Sequence, residues 1–127
     1  MKKIAAIALA GALSLSALPA LAHHSATMYE PKKTVVVTGT VEEFEYANPH
    51  VWIVLDVLGA GGSVTPWAFE MGSVSMVNDA GIHKRDIAPG MQLTVTGHPF
   101  KDARPGGQFI QAVRADGHVF NARSPSG

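Results

Sequence analysis

Two alternating runs joined by a glycine-rich loop constrain this chain more than any other feature. They are "HVWIVLDVLG" from His50 and "VTPWAFEM" from Val64 to Met71, connected through Gly59-Ala60-Gly61-Gly62. Period-two alternation marks half-buried strands, and glycines that take positive φ close the turn between them. Register then follows from parity, because a slip of one residue moves every side chain to the other face. With Ile53 opposite Phe69, Val51 meets Met71 and Leu55 meets Trp67, an all-apolar set; the other parity presses Glu70 into the core. His50, Trp52 and Glu70 share the outer face, with Glu70 across from Trp52 and diagonal to His50.

The remaining segments extend this hairpin. "TVVVTGTV", Thr34 to Val41, is β-branched, with Val35, Val37 and Val41 in period two and Gly39 where a strand bends. Asn48-Pro49 has turn chemistry. After the hairpin, Ser73 caps a short helix that carries Val74 and either Val77 or Met76 inward and stops at Gly81. "MQLTVTGH" alternates Met91, Leu93 and Val95 as strand four. "GQFIQAVRA" follows the "KDARPGG" loop as strand five, and a last short strand runs from Gly117 to Asn121. Three strands, a short helix and two strands is the element order of an OB-like barrel, here all-β with five to six strands. A small β-sandwich is the competing architecture.

The N-terminus reads as an export signal: Lys2 and Lys3, an apolar run from Ile4 to Leu18, and Ala20-Leu21-Ala22 as a small-x-small cleavage site. The expected organisation is residues 1–22 as signal peptide, 23–33 as an N-terminal segment, 34–121 as the barrel and 122–127 as a disordered tail. Cleavage after Ala22 makes His23 the first mature residue and leaves no transmembrane anchor, so the expected address is the periplasm. With 0 cysteines there is no disulfide framework and no thiolate metal site. The chain balances 10 Lys and Arg against 10 Asp and Glu. Losing Lys2 and Lys3 tips the mature part slightly acidic, which disfavours nucleic-acid binding driven by counterion release.

The motifs "AHHS", "GTV", "NPHVWI", "WAFE" and "VTVTGHP" resemble a family of small secreted bacterial proteins known only as a domain of unknown function. The resemblance covers essentially the whole mature chain. It implies a secreted β-rich domain, and it supplies no catalytic residue. A looser similarity, resting on element order, links the chain to periplasmic OB-fold proteins.

Two constellations carry possible chemistry. A terminal histidine offers an amine and an imidazole Nδ1 that chelate one metal, and a third nitrogen completes a site suited to Cu(II). His50 is the expected third ligand, His24 is an alternative at the second mature position, and Glu70 is a supporting ligand. At the level of this motif alone, the arrangement is similar to histidine-first copper proteins. The second constellation is His50 oriented by Glu70 beside Trp52, an arrangement that serves a metal ligand or a general base.

Each has a plainer alternative. His23-His24 is a polar stub left by signal cleavage, and His50, Trp52 and Glu70 are cross-strand pairs that stabilise the sheet. Met71, Met76 and Met91 read as core filling, Trp67 as inward, and His83, His98 and His118 as surface histidines. No Gly-x-Ser-x-Gly elbow, phosphate loop, His-Glu-x-x-His or dinucleotide fingerprint occurs. The sequence therefore leads to a non-enzymatic binding module with copper or another transition metal at His23, His24, His50 and Glu70. Its rivals are an interaction module that meets an envelope partner or polymer through the Trp52 face, and a small acid-base enzyme using His50 and Glu70.

Overall fold

The computed structural model describes residues 28–122. The segment expected to be a signal peptide, His23, His24 and the "RSPSG" tail lie outside the described residues. Among those described, six strands form one sheet: β1 (Val35–Glu45), β2 (Trp52–Leu58), β3 (Val64–Glu70), β4 (Gln92–Pro99), β5 (Gly106–Arg114) and β6 (Val119–Asn121). The order is β3-β2-β1-β4-β5-β6, and a parallel pairing of β3 with β5 closes the first five into a barrel. The fold is all-β and OB-like, as the element order predicts.

β1 serves two neighbours. Val35 to Thr40 pair with β4, and Thr40 to Glu45 pair with β2, with a register shift between Val41 and Glu43. Gly39 sits next to the crossover, where a Cβ would come within 2.6 Å of the Asp56 carbonyl oxygen. Its lack of a side chain lets β1 pass that close to β2.

The β2–β3 register is the one parity predicts: Trp52 opposite Glu70, Ile53 opposite Phe69, Leu55 opposite Trp67. Pairing runs on past the strand ends, where Met71 N donates to Val51 O at 2.8 Å. Ile53, Leu55, Phe69, Leu93, Val95 and Ala112 are buried in the barrel interior, and Trp67 packs partly buried against them.

The helix α1 (Val74–Asp79) closes one end of this core with Val77. Ser73 Oγ accepts from Met76 N at 3.3 Å, and Asn48 Oδ1, from the cis Asn48-Pro49 turn, accepts from Val74 N at 3.0 Å. Of the two alternatives for the inward position, Val77 is buried and Met76 faces out; six residues give the helix only one face to bury.

The largest departure from expectation is the "KDARPGG" loop. Its last glycines are strand: Gly106 pairs with Ala68 and Gly107 with Phe69 across the parallel seam, while Gly107 also pairs with Pro99 of β4. A Cβ on either residue would run into backbone, the Ala68 carbonyl for Gly106 and the His98 carbonyl for Gly107. The two glycines look like loop punctuation in sequence, and they are the place where the barrel shuts.

Candidate functional site

The site is built from the row of residues that the closed barrel lays side by side on its outer face. Trp52 of β2 pairs with Glu70 of β3, Glu70 with Gln108 of β5, and Gln108 with His98 of β4. Four strands contribute one polar or aromatic side chain each, and His50 joins from the turn before β2.

Glu70 is the chemical centre. Only 9% of it is exposed, which makes it the single buried charged residue among those described. Parity keeps it off the core; the chain ahead of β1 then covers it. Glu30 N donates to Pro99 O at 2.9 Å, Lys101 N donates to Met28 O at 2.8 Å, and Tyr29 makes an antiparallel bridge with Phe100. This strap stacks the Tyr29 ring on Phe100 with centroids 5.1 Å apart, and the Arg104 guanidinium lies 3.9 Å from the Phe100 centroid on the same stack. Tyr29 itself is 2% exposed.

Both oxygens of the buried carboxylate are used. The Tyr29 hydroxyl donates to Glu70 Oε2, and His50 Nδ1 bonds to Glu70 Oε1. A buried carboxylate needs such donors, because leaving it unpaired costs several kcal/mol. Burial, followed by the bond to Glu70 and its negative charge, pushes the Tyr29 phenol well above its ordinary 10.0, with Arg104 opposing. Tyr29 therefore stays protonated and keeps donating.

The bond to Glu70 settles the His50 tautomer. A carboxylate accepts, so Nδ1 carries the proton, and in the neutral form of the ring the lone pair is at Nε2. His50 keeps 40% of its side chain exposed while its partner is covered. An imidazole held in this way by a carboxylate is equipped as a metal ligand or as a base.

His98, expected as a surface histidine, is part of this neighbourhood. It lies inside β4, and its Nδ1 bonds to the Lys33 carbonyl at 2.8 Å. A carbonyl only accepts, so here too Nδ1 is the donor and Nε2 the free acceptor. The signal was present in sequence: Leu93 and Val95 point inward, so His98 falls with Thr94 and Thr96 on the other face. The signal required knowing that β4 ends beside β3 and β5.

A cleft of about 520 Å³ opens here, lined by His50, Glu70 and His98 at one edge and by residues of α1 and β5 elsewhere. Met76, expected as core filling, is 49% exposed and borders it. Trp52 is half-buried and does not line it. His83 and His118 lie elsewhere, His83 bonded to Asn78 at 2.7 Å and His118 beside Phe120. Among the described residues no three His, Asp or Glu side chains converge as a metal site, and no helix is long and apolar enough to cross a membrane.

No curated protein and no solved structure gives a match to the chain. A family model does, over residues 11–109, a span that contains His23, His24 and the whole Trp52–Glu70–Gln108–His98 row. The protein belongs to that family, DUF6152, described as a family of unknown function.

Proposed function

We propose that this protein is an exported, periplasmic binding module that holds a transition-metal ion, copper in the first instance, between His50 and the histidines of the mature N-terminus, His23 and His24. One observation carries the reading: the strap that would lead back to His23 is anchored by Tyr29 on the same carboxylate that orients His50. His23 stands six positions before Tyr29, and six steps at about 3.3 Å per extended residue span about 20 Å. That reach is long enough for the terminal amine and imidazole to meet His50 Nε2. Glu70 orients the ligand from behind, the arrangement common to metal-bound histidines. Three nitrogens suit tetragonal Cu(II).

The test is a copper(II) titration followed by EPR on the exported protein, with the N-terminus established by intact mass. The expected result is one copper per chain with nitrogen hyperfine structure, lost in His50→Ala and in a His23→Ala variant that keeps its cleavage site. Unchanged binding in His50→Ala, or a mature chain that starts elsewhere, overturns the reading.

The same fixed tautomer favours a second reading, in which His50 and Glu70 act as an acid-base pair on a molecule in the cleft. It predicts turnover that survives chelators and disappears in His50→Ala.

A further inference from the structure

We propose that the cleft is a binding site for a small phenol, an aromatic ring bearing a hydroxyl, independent of any metal. Its size comes first. About 520 Å³ lies within the range of pockets that enclose small organic molecules, roughly 300–1,000 Å³. Its walls come second. Met71, Met76, Val77, Ile82 and Phe109 make an apolar lining that includes two methionines, and methionine sulfur favours the edge of an aromatic ring.

The polar edge selects the head group. His50 and His98 both line the cleft, and each has its Nδ1 committed as a donor to a group that only accepts, the Glu70 carboxylate and the Lys33 carbonyl. In the neutral form of each ring this leaves Nε2 as an acceptor. Glu70 adds negative charge and has both oxygens engaged. Gln108, between Glu70 and His98 in the row, has an amide that serves in either sense. A cleft edged by acceptor nitrogens and a carboxylate favours a ligand that donates. An ether, ester or quinone of the same shape brings lone pairs to lone pairs and leaves those acceptors unmatched, a mismatch in hydrogen bonding that apolar contact alone does not supply.

The experiment uses the exported protein with ¹³C-methyl methionine in EDTA, titrated with 4-propylphenol and, separately, with its methyl ether 4-propylanisole. Saturable shifts of the Met71 and Met76 methyl signals are expected, with Met28 and Met91 unmoved. The phenol should bind about tenfold more tightly than the ether, the value of one well-placed hydrogen bond. His98→Ala should erase most of that preference. Ala80→Phe, which narrows the cleft from α1's end, should remove saturable binding while the Met28 and Met91 signals keep their native positions. Equal affinity for phenol and ether, or no saturable shift with either, overturns the proposal. A His23→Ala, His24→Ala double variant separates this proposal from the metal reading: it should lose copper and keep the phenol.

Discussion

The β2–β3 hairpin carries two outward carboxylates that the fold treats in opposite ways. Near its tip, Asp56 acts on Glu42, so acid meets acid: a hydrogen bond to Asp56, open to Glu42 only while it is protonated, and the Asp56 charge push the Glu42 carboxyl up. At its base, Glu70 is met only by donors, Tyr29 and His50. The tip is open, with Leu58 73% and Val64 56% exposed; the base is roofed by the strap. Water dissipates an awkward charge pair at the tip. Under a roof the same pair could not persist, so the covered carboxylate must have its partners built in.

If that contrast is right, the largest effects belong to the base. Tyr29→Ala removes a fully buried ring stacked on Phe100 together with its hydroxyl, and should cost about 3–5 kcal/mol in a urea unfolding titration. Glu70→Ala strands the Tyr29 and His50 donors and should cost about 1–3 kcal/mol. A loss as small as that of a tip mutation would break the comparison. The tip sets that scale: Leu58→Ser should change stability by no more than about 0.5 kcal/mol.

The pH response sharpens the contrast. Tyr29 keeps its proton in the folded state beyond 10.0, where unfolded phenols release theirs. The stability it contributes is complete below pH 10 and is lost as pH rises through its elevated folded value. Tyr46, also pushed up by burial and by Asp86, acts in the same sense. Thermal melts should fall on the alkaline side, and Tyr29→Phe should flatten that fall. Glu42, raised from 4.5, contributes stability that is complete below pH 4.5 and is lost as pH climbs through its own raised value. Glu42→Gln should therefore melt slightly higher than the parent at pH 7, with the gap closing in acid.

Much of the base is legible in the sequence. Parity alone put Glu70 opposite Trp52 and diagonal to His50, because an apolar alternation admits one register and a charged residue argues against the other. The strap was harder. Tyr29 stands in "ATMYEP" with no periodic neighbours, and a single bridge to Phe100 leaves no pattern along the chain. His98 lies on the outer face, as a surface histidine should, but its company was hidden for a different reason: its face follows from β4's alternation, whereas its neighbours depend on the parallel seam. That seam rests on Gly106 and Gly107, and a pair of glycines after proline reads as a turn unless the backbone pressed against them is known.

The strap also has a kinetic consequence. Tyr29 reaches Glu70 across 41 residues of sequence, and its bridge to Phe100 closes a still longer stretch. Contacts so remote carry a large loop-closure cost that must be met before they repay it, and chains rich in them fold slowly. The hairpin can form early from local pairing, whereas the roof over its carboxylate waits for β4 and β5 to arrive. Folding therefore divides the site in two: the His50–Glu70 bond spans 20 residues and belongs to the hairpin, whereas the Tyr29 half, and with it the cover over the carboxylate, depends on the most remote contacts.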